Sequence, residues 1–476
     1  MLANIRDKKT SIIATVGPAC RDIEVIKSLI KEGVNVFRLN FSHGDYLFHK
    51  EMLDKIRKAS EDINIIVGIL ADLSGPKIRI GTFESGSIIL NIGDKFEISI
   101  DDNIVGNQSI VSTTYKHLIS DVNTGDKILL DDGNISLKAI LKKEKSILCE
   151  VLDGGVLKNK KGMNLPGIKL SAPSLTEKDK KDLEFILKEN IDFVALSFIR
   201  SKKCVLSLKE LTKNSNIKIV SKIEKPEALN DIDAIIEISD AVMIARGDLG
   251  VEVPIEKVPV IQKQIINICA SKGVPVITAT QMLESMIENQ RPTRAESTDV
   301  FNAIIDGTDA VMLSGETSVG KNPIDAVKVM SAIAIEAENA NLIRNACNGK
   351  KNIHYDIPET TAHIACQSAY DVNAKAIVAF TESGSTVKRI SKYHPHVPII
   401  ALSSSIHVLQ QLSLYYGTNV YEVNDVSSTD ELFKVAENIV KELGVVKGND
   451  TFIIVAGLPL KVKGVTNLIK IHQLSE

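Results

Sequence analysis

The stretch from Lys218 to Asp248, KIVSKIEKPEALNDIDAIIEISDAVMIARGD, decides the fold. Its two β-branched apolar runs, Lys218–Ile223 and Asp240–Ala245, read as buried strands. Each stops at charge. Lys222 and Glu224 share one face at the end of the first run, and Arg246-Gly247-Asp248 interrupt the second ahead of a helix.

Working outward, comparable runs occur at Ser11–Val16, Asn35–Asn40, Ile65–Leu70, Asp192–Ser197, Pro275–Thr280 and Asp309–Ser314. Most are separated by segments of helical spacing, such as Ile23, Ile26, Leu29 and Ile30, or Val260, Ile261, Gln264, Ile265 and Ile268. Eight strand–helix units predict an α/β fold, a closed (β/α)8 TIM barrel. The alternation lapses over 73–172, where period-two runs at Lys95–Ile100 and Lys127–Leu130 and turns at Asp132-Gly133-Asn134 and Gly154-Gly155 predict a small β domain inserted after the third strand. Residues 1–72 and 173–345 then form the barrel, close to the roughly 250 residues typical of that fold. After the polar stretch Asn348–Asn352 a fresh alternation, with apolar runs from Ala376–Phe380 to Asn467–Ile471, predicts an open α/β domain over 346–476.

Composition narrows the function classes. The 476 residues are 44% hydrophobic and 25% charged, as in globular proteins, and exceed one domain at roughly 150 residues each. A net charge of −3, 4% aromatics and no Trp argue against a nucleic-acid binder, and no uncharged apolar run approaches membrane-spanning length. The six cysteines are dispersed, with no CxxC pair and no His at zinc-ligand spacing. Buried free thiols in a reducing cytoplasm are the expectation.

In a (β/α)8 barrel the chemistry sits at the C-terminal ends of the strands. At the second strand Arg38, Asn40 and Ser42 alternate with Phe37, Leu39 and Phe41, so the apolar face meets the helices and Arg38 reaches toward the mouth, unless the run is a solvated edge. Lys222 with Glu224 could be a structural ion pair and Asp248 an N-cap. Yet Glu224 and Asp248 end adjacent strands, and paired carboxylates suit a hard divalent cation. Thr280 and Ser314-Gly-Glu-Thr317 are equally explained by capping. Taken together, two fixed cations, two carboxylates and helix N-termini fit a small phosphorylated or dicarboxylate-like substrate whose reaction develops charge on oxygen.

The chain resembles the pyruvate kinase family. The resemblance rests on the ordered motifs FRLNFSHG (Phe37–Gly44), GPKIRIG (Gly75–Gly81), KGMNLPG (Lys161–Gly167), SKIEKPEAL (Ser221–Leu229), ARGDLGVEVP (Ala245–Pro254), ATQMLESM (Ala279–Met286), RPTRAE (Arg291–Glu296) and MLSGET (Met312–Thr317). It implies a TIM barrel with an inserted small β-barrel lid and a C-terminal regulatory α/β domain, and phosphoryl transfer from phosphoenolpyruvate to ADP to give pyruvate and ATP. It further implies that Arg38 clamps the phosphoryl group, Lys222 neutralises its developing charge, and Glu224 and Asp248 hold Mg²⁺, with Mn²⁺ as an alternative. Gly247, Asp248 and Thr280 would hold the substrate carboxylate. Asn40, Phe41, Ser42 and His43, with Arg79 and Lys161 at the two ends of the lid, would bind nucleotide. Asn40, Ser42, Asp72 and the Leu73 carbonyl match the family's K⁺ positions.

One departure stands out. Where K⁺-requiring members carry a carboxylate, this chain has Lys77. The substitution resembles the K⁺-independent branch, so the expectation is that the Lys77 ammonium replaces the monovalent cation. In the C-terminal domain, Thr381, Glu382, Ser383, Gly384, Ser385 and Thr386 match the family's effector-phosphate loop, while Gly457–Thr466 carries Lys461 and Lys463 but not the full loop of fructose-1,6-bisphosphate-regulated members. Activation by a sugar phosphate or nucleoside monophosphate, and a homotetramer, are the expectations. A Mg²⁺-dependent lyase acting on a pyruvate enolate is the nearest rival, disfavoured because it needs no nucleotide clamp. A noncatalytic metabolite sensor ranks lower, since every charged catalytic position is occupied.

Overall fold

The computed structural model describes residues 7–171, 173–340 and 356–474. The expected boundary at 345/346, Asn348–Asn352, Cys347 and residue 172 at the end of the inserted segment lie outside the described residues. Eight parallel strands, Ser11–Thr15, Val34–Asn40, Gly68–Asp72, Phe193–Leu196, Lys218–Ile223, Ala241–Ala245, Val276–Ala279 and Ala310–Leu313, close into a barrel in sequential order, with Ala310 opposite Ser11. Phe37 and Leu39 face the helices in the layer outside the strands, while Ile13, Val36, Leu70, Val220, Met243, Ile277 and Met312 fill the interior.

Seven strands fall within a residue or so of their expected ends. The third does not: it begins at Gly68 rather than Ile65 and runs on to Asp72. The reason is local. Asn64 is left-handed at φ 53°, its N–H donates to the Glu61 carbonyl, and the Ile65 N–H donates to the Ser60 carbonyl at 3.0 Å, so these residues close the preceding helix, Tyr46–Asp62.

The inserted segment folds into a six-stranded sheet and a two-stranded antiparallel ribbon, Ser87–Leu90 with Gly155–Lys158. Isolated bridges, Arg79 to Gly162, Ile80 to Thr113 and Phe83 to Gly106, tie in its first residues, and one apolar cluster centred on Phe96, Ile98, Ile128 and Leu137 is its core. The C-terminal sheet orders Thr418–Glu422, Ile399–Ser403, Ile377–Phe380 and Thr451–Ala456 in parallel, with Leu468–Gln473 antiparallel at the edge.

This last sheet's helices supply the floor of the barrel. Leu414 joins the interior cluster, and Ser11, at the start of the first strand, donates from Oγ to the Ser413 carbonyl at 3.0 Å. Gly68 is needed for the approach, because a side chain there would meet the Gln410 carbonyl oxygen at 2.8 Å. Two buried carboxylates at strand starts complete the contact: Asp192 bonds Arg57 at 2.8 Å and faces His407 at 3.5 Å, and Asp309 meets His394 at 3.1 Å. Among the described residues no helix is long and apolar enough to cross a membrane, and Cys20, Cys149, Cys204, Cys269 and Cys366 are free thiols.

Candidate active site

The charged strand ends converge at the open mouth. Asp72, 1% exposed, is the hub. Its Oδ2 accepts from Arg38 Nε at 2.8 Å and lies 2.6 Å from Nη2, while its Oδ1 stands 3.2 Å from Lys222 Nζ. Arg38 Nη1 also donates to Thr15 Oγ1 at 3.1 Å. Lys222 is held by Glu224 Oε1 at 2.8 Å and by Ser197 Oγ at 2.7 Å. Both cations are thus oriented by several partners from neighbouring strands, which a flexible lysine on a surface would not be.

Charge states follow from this packing. Burial would raise the Asp72 carboxyl, but the Lys222 ammonium and Arg38 guanidinium outweigh it and hold the group below its ordinary value. Burial opposes the Lys222 charge, yet Asp72 and Glu224 push its pKa above the usual lysine value. Glu224 goes the other way: burial, reinforced by the Asp248 charge, raises its carboxyl above the ordinary range despite Lys222. Its second oxygen accepts from the Phe198 N–H at 2.7 Å, a donor aimed by the left-handed backbone of Phe198 at φ 55°.

Asp248 sits in the first turn of the helix Arg246–Glu252, and its carboxylate makes no hydrogen bond or ion pair among the described residues. A buried carboxylate beside an unpaired one is the donor set that a hard divalent cation neutralises, with waters and substrate oxygens completing its shell. Among the described residues no three His, Cys, Asp or Glu side chains gather as a metal site.

Thr280 reaches the same place from the seventh strand. Its Oγ1 accepts from the Gly247 N–H at 2.7 Å. Sequence alone suggests a helix start after Thr280; instead Thr280 and Gln281 are both left-handed, at φ 70° and 53°, and a 3-10 turn begins only at Glu284. A β-branched residue in this region is strained. Arg246 restrains it, donating from Nη2 to the Thr280 carbonyl at 2.9 Å while its guanidinium is paired with Asp299 at 2.7 Å.

The segment Phe41–His43 follows the second strand. The Asn40 Oδ1 atom accepts from the Ser42 N–H at 3.1 Å, and the Leu73 carbonyl accepts from Ser197 Oγ at 2.8 Å. Burial, with the charges of Arg79, Lys77 and Arg38, holds the His43 imidazole below its ordinary pKa, so two lid cations and Arg38 share its surroundings. Arg79 donates to the Lys160 carbonyl at 3.0 Å, and Lys161 pairs with Asp131 at 2.6 Å. Lys77 lines a cleft between lid and barrel with Asp132, Asn164, Phe198, Lys225 and Asp248.

Thr381–Gly384 lie apart from the mouth, at the start of the helix Ser385–Ser391. Thr381, Glu382, Ser385 and Thr386 line a second cavity with Asp425 and Lys461, while Ser383 Oγ meets Ser385 Oγ at 3.3 Å and Gly384 is left-handed. Lys461 stands 3.3 Å from Asp425 there, and the Thr381 Oγ1 atom is buried without a hydrogen-bond partner.

Several contributors escape sequence reading. Ser197 and Phe198 follow the fourth strand and could have been flagged by that position alone. His49, buried and stacked on Phe41 at a 4.2 Å centroid distance, sits on a helix face whose period looks purely structural.

Comparison with known proteins agrees along both parts of the chain. The family model for the pyruvate kinase barrel domain matches residues 7–327, and that for the pyruvate kinase alpha/beta domain matches 359–472. A pyruvate kinase of Corynebacterium glutamicum is 42% identical over 99% of this chain and 98% of its own length. One from Geobacillus stearothermophilus is 45% identical over 98% of this chain and 81% of its own. The crystal structure of a pyruvate kinase from Cryptosporidium parvum superposes with a TM-score of 0.90 at 39% identity, covering 98% of this chain and 96% of that one. With similarity of this depth extending over barrel, lid and C-terminal sheet alike, the chain belongs to the pyruvate kinase family.

Proposed function

We propose that the family's reaction, phosphoryl transfer from phosphoenolpyruvate to ADP to give pyruvate and ATP, is carried out in this chain by Arg38, Lys222, Glu224, Asp248 and Thr280. The observation that carries the assignment is the shared Asp72 carboxylate, which fixes Arg38 and Lys222 side by side next to the two carboxylates. Arg38, fixed at one edge by Asp72, clamps the transferring phosphoryl group with its remaining N–H groups. Lys222 neutralises the charge on the equatorial oxygens as the bond to the leaving enolate lengthens. The Asp248 N–H and the Gly247 N–H, which exchanges its bond to Thr280 Oγ1 for the ligand, bind the substrate carboxylate, and the Thr280 hydroxyl so released positions the water that delivers a proton to the enolate carbon. Glu224 and Asp248 would hold a divalent cation, Mg²⁺ in the first instance, which when bound would supply Lewis-acid charge to the oxygens on which charge develops. Asn40 to His43 receive the nucleotide from below and Arg79 and Lys161 from the lid, whose closure excludes the water that competes with ADP.

Lys77 takes the electrostatic role of K⁺. In support, Asp72 is already engaged by two cations and the Leu73 carbonyl by Ser197, while Lys77 lines the cleft beneath the lid. The cavity beside Thr381–Thr386 takes a phosphorylated effector, a sugar phosphate or nucleoside monophosphate, in a cytoplasmic homotetramer.

The test is pyruvate formation from phosphoenolpyruvate with and without ADP and Mg²⁺. Release that needs both, and that disappears in Lys222→Ala, is expected. ADP-independent release, with inorganic phosphate as the second product, would mean transfer to water and would refute ADP as the acceptor.

A further inference from the structure

Beneath the lid lies a second buried ion pair, whose cation is more enclosed than those of the mouth. Lys225 Nζ lies 2.6 Å from Glu252 Oε1, with the two side chains 4% and 2% exposed. The same carboxylate oxygen accepts from Asn164 Nδ2 at 2.9 Å, and Asn164 belongs to the last strand of the lid, Met163–Asn164. The lid touches this region once more, since a side chain at Gly133 would come within 3.8 Å of Val251 Cγ1.

The positions of the three residues relate them to the proposed metal ligands. Lys225 follows Glu224 directly in the chain, and its ammonium stands 5.9 Å over the ring of Phe198, the residue whose N–H holds Glu224. Glu252 stands four residues after Asp248 in the same seven-residue helix, hence on the same face one turn away. The Lys225–Glu252 pair therefore ties the neighbour of one carboxylate to the helix that carries the other, and Asn164 adds the lid to that tie.

We propose that Lys225, Glu252 and Asn164 form a latch through which lid position and the spacing of Glu224 and Asp248 are coupled, making all three positioning residues for metal and nucleotide binding. The inference rests on the reading of Glu224 and Asp248 as metal ligands. A docked lid pulls Glu252 toward Asn164, holds the helix Arg246–Glu252 in place, and so keeps Asp248 opposite Glu224. A cation between those carboxylates fixes the same helix and, in return, favours the docked lid, as reciprocity of coupling requires.

Glu252→Gln alone strands the Lys225 ammonium and should lower the melting temperature, so the decisive comparison is between Asn164→Asp and the combined variant, both of which leave Lys225 a carboxylate. Three variants are compared with the parent: Asn164→Asp, Glu252→Gln and the two combined. Each is assayed for ADP KM, Mg²⁺ half-saturation, kcat, melting temperature and amide hydrogen exchange at 131–134 and 163–164. Asn164→Asp sets a second carboxylate against Glu252; it should raise ADP KM and Mg²⁺ half-saturation by roughly tenfold, the scale of one charged hydrogen bond, and speed lid exchange. The double variant exchanges donor and acceptor while leaving Lys225 one carboxylate, and should recover most of both losses. A shift in melting temperature with KM and exchange unmoved, or a double variant no closer to the parent than Asn164→Asp, would overturn the latch. Turnover surviving in Lys222→Ala would refute the reading of the mouth instead, with hydrogen exchange still deciding the latch.

Discussion

Asp72 Oδ2 lies 2.8 Å from Nε and 2.6 Å from Nη2 of Arg38, so a single buried oxygen holds that edge of the guanidinium. Its partner oxygen faces Lys222. Asp72→Asn leaves two buried cations short of one counter-charge. We expect kcat to fall by roughly 10²-fold, as for loss of one preorganised electrostatic group, and stability to fall by about 3 kcal/mol. Because the folded-state pKa of Asp72 is depressed, its contribution is complete above the unfolded carboxyl range and is lost as pH falls through the depressed value. Acid denaturation followed by circular dichroism should accordingly be less steep in the variant.

Glu224 and Asp248 can be separated by their surroundings. Glu224→Gln removes one partner of Lys222 as well as a proposed metal ligand, whereas Asp248→Asn removes only the proposed ligand. Mg²⁺ titrations should show half-saturation raised at least about tenfold in both, with a lowered melting temperature in Glu224→Gln alone. Chelation of divalent cations should abolish turnover in the parent without unfolding it.

The strained turn at Thr280 depends on Arg246. Arg246→Lys keeps the charge toward Asp299 but loses the planar fork that also reaches the Thr280 carbonyl. Phosphoenolpyruvate KM should rise several-fold and kcat fall with it, since the Thr280 hydroxyl is no longer set against the Gly247 N–H. Unchanged steady-state constants would show that the turn holds itself.

The end of the lid is anchored by Asp121, which accepts from the Ser171 N–H at 2.7 Å and the Ser171 hydroxyl at 2.8 Å, and from Tyr115. Burial opposes ionisation, but these donors carry the carboxyl down to about 2. The anchor is therefore intact above pH about 4, the ordinary carboxyl value, and fails only as pH drops toward 2. Asp121→Asn should lower the protection of lid amides at neutral pH, relative to their intrinsic exchange rates, to the level the parent shows only near pH 2.

Lys77 is tested by cation replacement. With tetramethylammonium as the sole monovalent cation the parent should retain its turnover, and Lys77→Glu should require K⁺. Near-zero parental activity rescued by K⁺ would assign the ordinary monovalent site to this chain.

Barrel and mouth were legible for a simple reason: strands buried on both faces read as apolar runs, and polar residues at their ends interrupt those runs. Arg38 could be aimed inward from the alternation with Phe37 and Leu39, because a period of two leaves only two faces. The third strand was misplaced because Ile65 looks like strand by side chain, whereas its N–H is taken by the helix before it. Asp72 lies beyond the strand end read at Leu70 and enters the sequence reading only as a matched K⁺ position, not as the hub for two cations, since Arg38 and Lys222 come from strands on either side of it in space and far apart in the chain. The partnership of Asn164 with Glu252 spans 88 positions and depends on how the lid docks, which no local pattern encodes.

The floor of the barrel bears on how the chain is made. Ser11 is sealed by the carbonyl of Ser413, 402 positions later, and Leu414 occupies the interior beside Ile13. During synthesis from the N-terminus, at roughly 5–20 residues per second, all eight strands leave the ribosome well before the segment that keeps water from their lower ends. Until that segment arrives the lower end of the nascent barrel has no cover from it. A shortened gene product ending near residue 340 would carry every residue of the catalytic mouth and still be an unfinished vessel, so the C-terminal sheet is a component of the enzyme's assembly as well as a candidate for its control.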